Sequence, residues 1–179
     1  MMINPFHFCC AQYKGLLAHR FSSKQQAFAQ THLRILCGLY GVLRPFDNIR
    51  PYRLEMGNSL EVGEHRNLYQ FWDKSITESL VQDMALSGEE EGGLIINCAS
   101  QEYFKSIRPA ELPPGFRVVT CDFPGATVFA KRARGLMCRF IIESEVENAE
   151  QLMAFTGSLQ PFAPTLSTFL HILDCIIQF

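Results

Sequence analysis

Several signatures that would assign a chemistry are missing from this sequence. It has no Gly-x-Ser-x-Gly elbow, no Walker A loop and no Gly-x-Gly-x-x-Gly turn, so the common nucleophile, phosphate and dinucleotide motifs are excluded. Its five histidines are scattered, and none stands in a metal-ligand spacing. Seven cysteines, Cys9, Cys10, Cys37, Cys98, Cys121, Cys138 and Cys175, never form a pair with the two-residue gap of a zinc knuckle or redox dithiol. An odd number cannot all enter disulfides, and most sit singly among apolar residues as buried free thiols do, which points to a reducing compartment. There is little excess charge: sixteen Lys+Arg against eighteen Asp+Glu give −2, so any basic surface must come from local clustering. No metal ligand set and no cofactor are expected.

The ends lack targeting features. Met1 to Phe8 has neither a positive n-region nor a long apolar h-region, so a signal peptide is not expected. Leu159 to Phe179 is apolar, but Pro161 and Pro164 break its start, and His171, Asp174 and Gln178 would lie in lipid. An amphipathic helix or a tail is the expectation there, with no membrane span and a soluble intracellular protein.

What is present suits one domain: 179 residues, 47% hydrophobic and 19% charged, with fifteen Phe to fill a core. A helix is expected from about Ser22 to Leu39, capped by Ser22 or Ser23 and punctuated by Gly38 and Gly41. Leu43 to Arg53 carries two prolines and should be extended or turning. A second helix is expected over Leu68–Leu86, a buried strand at Leu94–Cys98 and a second strand at Arg117–Cys121. Between the strands, Gln101 to Ile107 should form a short helix that Arg108 and Pro109 stop. Pro124-Gly125 should turn, a long helix should run from Thr127 to Ser144, and Asn148 with Gln151 resembles a capping box for a last short helix to Phe155. Alternating helices and buried strands argue an α/β or α+β fold, a mixed sheet flanked by helices.

The 127–144 helix is the most informative segment. At roughly 100° per residue, Phe129, Ala133, Leu136, Met137 and Phe140 share one arc. Lys131, Arg132, Arg134 and Arg139 share the other, a face that attracts phosphate. Gly135 in mid-helix costs roughly 1 kcal/mol against Ala, so another backbone or a ligand should approach closely there. Arg44, Arg50 and Arg53 form a second basic group, with Asp47 and Glu55 interleaved; arginine forks suit phosphate or carboxylate, and on these residues alone ion pairs within the loop are the expectation. Asn97, Ser100, Glu102, Tyr103 and Lys105 follow a strand end, where α/β ligand crevices form, though Ser100 and Glu102 equally suit a helix start. No nucleophile constellation emerges.

Taken together these segments resemble the YaaA family, the peroxide stress proteins. The resemblance rests on Phe28-Ala29-Gln30, His32-Leu33-Arg34, Leu39 to Pro45, and Pro51-Tyr52-Arg53-Leu54-Glu55-Met56-Gly57. It continues through Leu68-Tyr69, Phe71-Trp72, Asn97, Ala99-Ser100, Glu102-Tyr103-Phe104-Lys105, Ala130-Lys131, Ala133-Arg134-Gly135 and Arg139-Phe140-Ile141. It implies a cytoplasmic protein that limits free iron and protects DNA during oxidative stress, with double-stranded or distorted DNA in a positively charged cleft. Carried over by position, the DNA-binding candidates are Arg44, Arg53, Lys105, Lys131, Arg134 and Arg139, supported by Asn97, Ser100, Glu102, Tyr103 and Gly135. The family's N-terminal strand and its helix-hairpin-helix region have no counterpart here, and the segment from Cys121 to Phe129 is altered. The expected organisation is therefore a divergent segment 1–12, a partial YaaA-like domain 13–157 and an unrelated apolar tail 158–179, an incomplete domain with exposed apolar surface. Two rival functions stay open at this point: an enzyme acting on a nucleotide or phosphorylated small molecule in the same cleft, and direct iron handling.

Overall fold

The computed structural model describes residues 11–50, 52–86, 92–123, 126–155 and 175–178. Its centre is a five-stranded mixed sheet in the order β2-β1-β5-β3-β4. These strands are β1 (Leu33–Cys37), β2 (Gly41–Leu43), β3 (Leu94–Asn97), β4 (Arg117–Thr120) and β5 (Cys175–Gln178). β3 and β4 run parallel, with Leu94 level with Arg117 and Asn97 with Thr120. β5 lies antiparallel to both β1 and β3 and is the only strand joining them.

Strand periodicity sends alternate side chains to opposite faces. Leu33, Ile35 and Cys37 of β1, with Leu94 and Ile96 of β3, enter one core, where α1 (Ala11–Leu16), α2 (Ser23–His32) and α6 (Thr127–Ser144) contribute Leu16, Ala29, Met137, Cys138 and Ile141. Leu36 and Ile95 enter the other, against α3 (Leu68–Trp72) and α4 (Ser75–Leu86) through Leu68, Ile76, Leu80 and Met84. The result is a helix–sheet–helix sandwich, the mixed α/β fold expected from the sequence. Among the described residues no helix is long and apolar enough to cross a membrane.

Local chemistry sets the helix ends. Ser22 Oγ accepts from the Gln25 N–H at 3.3 Å while Gln25 Oε1 accepts from the Ser22 N–H at 2.9 Å, the reciprocal capping box. Asn148 and Gln151 exchange the same pair of bonds ahead of the 3-10 turn Glu150–Ala154. α6 has the bounds read from the sequence.

Three expectations are corrected. The helix from Ser22 does not reach Leu39: it ends at His32, and Leu33–Cys37 is a strand buried along its whole length. Gly41 (φ +73°) then turns β1 into β2, and a Cβ there would meet the Trp72 ring at 2.9 Å, so the glycines serve a hairpin and not a helix end. The 68–86 helix is broken at Asp73, whose φ is +43°. Residues 175–178 of the tail form the central strand, not part of a helix; the rest of 156–174 lies outside the described residues, as does the Pro124-Gly125 turn.

The arc predicted for α6 also needs revision. Phe129 is 57% exposed and Arg134 only 4% exposed. The cause is that α6 packs on two sides, against the sheet and against α1, so its buried surface is wider than one amphipathic stripe. Val128, Phe129, Leu86 and Met153 are exposed.

Gly15 and Gly135 mark the α1–α6 crossing. A Cβ on Gly135 would lie 2.0 Å from the Gln12 carbonyl oxygen, and one on Gly15 would lie 2.3 Å from the Arg132 carbonyl oxygen. Backbone, and not a ligand, is what approaches Gly135. Gly135→Ala should therefore destabilise the chain, by about 1–3 kcal/mol of overpacking against about 1 kcal/mol of helix propensity gained. A thermal melt checks this, and an unchanged or raised midpoint would contradict the crossing.

Candidate functional site

An open cleft of about 260 Å³ is the setting for the predicted residues that come together. Its walls are Tyr13 of α1, Ile35 and Leu36 of β1, Leu43 of β2, the loop Tyr52-Arg53-Leu54-Glu55, Tyr103 of α5 (Gln101–Phe104) and Lys131 of α6. Arg53 is exposed and Lys131 half-buried. Among the described residues neither belongs to an ion pair. Three phenol rings, one carboxylate and two cations from distant parts of the chain thus share one concavity.

The frame of the cleft is built from side chain–backbone bonds. Asn97 is fully buried; its Oδ1 accepts from the Ala99 N–H at 2.7 Å and its Nδ2 donates to Thr120 Oγ1 at 3.2 Å, fixing the turn after β3. Ser100 Oγ then caps α5 by accepting from the Tyr103 N–H at 3.3 Å. Glu102 Oε1 accepts from the Gly57 N–H at 2.8 Å, and its carbonyl oxygen accepts from Tyr69 Oη at 2.9 Å. The Glu102 carboxylate therefore ties down the loop that carries Arg53 and Glu55. Asn97, Ser100 and Glu102 position the cleft; of that group only Tyr103 lines it.

Tyr52 has a second anchor. Its Oη and Cys37 Sγ hydrogen-bond at 2.6 Å, and Cys37 Sγ also accepts from the Tyr40 N–H at 3.2 Å. Burial first, and then the bond to Cys37, push the Tyr52 phenol above its ordinary range, so it stays protonated. Burial also raises the Tyr69 phenol, beside the Glu102 carboxylate.

The other cationic candidates stand elsewhere. Arg44 Nη2 reaches Asp83 Oδ1 at 2.7 Å, while the Arg44 N–H donates to Asp47 Oδ2 at 2.7 Å. Asp83 Oδ2 in turn takes Nε of Arg34 at 2.6 Å. Arg34 itself is buried in β1, and its Nη1 donates to the Thr31 and Leu33 carbonyls. Lys105 Nζ sits 4.8 Å from the Tyr69 ring centroid, a cation–π contact. Arg139 pairs with Glu143 at 2.8 Å. Arg134 is buried on the packed side of α6. Of the six carried-over cations, Arg53 and Lys131 are the two that line the cleft. The sequence reading did not single out Tyr13 or Tyr52 as lining residues; Tyr52's place beside Arg53 was the one available signal. Among the described residues no group of three or more His, Cys, Asp or Glu could hold a metal ion.

The profile of the family described as peroxide stress protein YaaA matches residues 6–163. Two UPF0246 proteins of Aliivibrio fischeri, from strains MJ11 and ATCC 700601 / ES114, are each 44% identical to this chain over 164 residues. Each alignment covers 87% of this chain and 61% of the relative, so the chain spans about three fifths of the length of these curated relatives.

Proposed function

The chain belongs to the peroxide stress protein YaaA family, and on that premise we propose that it serves the peroxide response by holding DNA, double-stranded or distorted, against the cleft bordered by Arg53 and Lys131. The observation that carries this reading is that these two cations converge on one concavity without a carboxylate partner among the described residues. Unspent cations beside one another are what a phosphate backbone neutralises. The tyrosines of the same walls offer faces on which an unstacked base can lie, which favours distorted over regular duplex. Limitation of free iron and a cytoplasmic setting belong to the same reading and rest on the family alone.

The test is fluorescence anisotropy with a labelled duplex and a labelled duplex containing a bubble. The double variant Arg53→Glu/Lys131→Glu should lose most of the affinity for both. Lys24→Gln, at the exposed Lys24–Glu145 pair, should bind as the parent does. Undiminished binding in the double variant would overturn the reading.

A second reading, an enzyme acting on a nucleotide or another phosphorylated small molecule, is favoured by the modest size of the cleft and by Glu55 in its wall. A thermal-shift screen separates the two: stabilisation by a single nucleotide with none by DNA supports the enzyme.

A further inference from the structure

A group of three thiols lies under α6, apart from the cleft. Cys98 directly follows β3 and Cys121 directly follows β4. Those strands are parallel with Asn97 level with Thr120, and the Cys121 N–H donates to the Asn97 carbonyl at 2.8 Å, so the register continues and the two cysteines stand side by side. Cys138 enters from α6, and all three share one apolar core. The Cys98 thiol lies within interaction range of both the Cys121 and the Cys138 thiols. All three are reduced thiols and buried, but not equally: Cys98 is 0% exposed, Cys138 1% and Cys121 7%. Neighbouring strands lie about 4.7–4.9 Å apart, inside the roughly 4.4–6.8 Å between Cα atoms that a disulfide spans, so closing a bridge needs little backbone movement.

We propose that Cys121 and Cys98 form a peroxide-oxidised dithiol site, with Cys121 attacked first and Cys98 resolving it into a disulfide. Cys121 Sγ displaces hydroxide from hydrogen peroxide as the O–O bond breaks, leaving a sulfenic acid and one water. Cys98 Sγ then attacks the sulfenic sulfur; the S–O bond breaks, the S–S bond forms and a second water leaves. The two sulfurs together give up two electrons, the peroxide gains them, and both thiol protons end in water. The order of attack follows from exposure: Cys121 is at the edge of the core and Cys98 is enclosed. Contacts with Cys121 and Cys138, then burial, hold the Cys98 thiol well above its ordinary range, so it is poorly suited to meeting free peroxide; its place beside Cys121 gives it the second step. The disulfide would tie the ends of β3 and β4 together just before Ser100 and the α5 turn that sets Tyr103. This inference takes peroxide as the oxidant from the family's role and stands whether or not the cleft binds DNA.

The full chain would be exposed to hydrogen peroxide, its remaining thiols alkylated under denaturing conditions, and its peptides mapped by mass spectrometry. A Cys98–Cys121 peptide pair reversed by dithiothreitol is expected, formed equally in Cys138→Ser. In Cys98→Ser, dimedone should label Cys121. Exhaustion of these thiols to sulfinic or sulfonic acid without the pair, or Cys98 labelling ahead of Cys121 in single-turnover trapping, would overturn the proposal. The mapping of the unsubstituted chain decides the matter even if Cys98→Ser fails to fold.

Discussion

A chain ending before Cys175 is expected to lose cooperative unfolding altogether. β1 and β3 do not pair with each other; β5 fills the gap between them with three residue pairs on each side. Without it the sheet divides into two ribbons, β2-β1 and β4-β3, each two-stranded and marginal alone. The inner edges of β1 and β3 would also lose their backbone partners inside the core, at about 1–3 kcal/mol for each buried group left unsatisfied. Those edges, flanked by Leu33, Ile35, Ile95 and Ile96, would invite association between chains. Circular dichroism during a denaturant titration, with dye binding to exposed apolar surface, checks this. A truncated chain that unfolds in one steep transition near the parent midpoint would show that the slot needs no strand.

Asp83→Ala should be the most damaging single substitution. Asp83 is the shared acid of Arg34 and Arg44, and Arg34's side chain is only 2% exposed. Removing the acid leaves a guanidinium charge in a strand interior, a change worth about 3–5 kcal/mol when one partner of a buried pair is lost. For a chain of this size that corresponds to a fall in Tm of about 6–20 °C. The same site has a pH signature. Burial alone would raise the Asp83 carboxyl, but hydrogen bonds from Arg44 and Arg34 outweigh it and hold the group below its ordinary value of 3.8. A carboxyl depressed in the folded state contributes stability that is full above 3.8 and lost as pH falls through the lower folded value. Melts of the parent should therefore lose stability on acidification below that point more steeply than melts of Asp83→Asn. Equal slopes, or an Asp83→Ala chain as stable as the parent, would contradict the role given to this acid.

What the sequence made legible divides along physical lines. Signals carried by a few neighbouring residues were readable: the Ser22 cap, the Asn148–Gln151 cap, the α6 bounds and the apolar β3 run all match the structure. Leu33–Cys37 was not, because a five-residue apolar run directly after a helix has no local mark distinguishing a buried strand from another helical turn. Its strand character comes from β2 and β5, one of them remote in sequence. β5 itself lies in an apolar stretch whose partners only the fold supplies.

The site divides in the same way. Charge type and sequence position pointed to six cations, and Arg53 and Lys131 meet at the cleft. Arg44 and Arg139 are held by acids, Asp83 and Glu143, whose proximity is tertiary for the first and one helical turn away for the second. Arg134 was assigned to the cationic arc by angle alone, and the angle cannot tell that this side chain is buried. Gly135 was read correctly as a place of close approach; that the visitor is the Gln12 carbonyl required coordinates.

If Arg53 and Lys131 contact phosphates, duplex binding must depend on salt through them. Each phosphate neutralised adds about 0.9 to the slope of log Kobs against log salt. The parent should bind with a steep negative slope, and Arg53→Gln/Lys131→Gln should reduce its magnitude by about 1.8. A parent slope near zero, or the same slope in parent and double variant, would contradict the account.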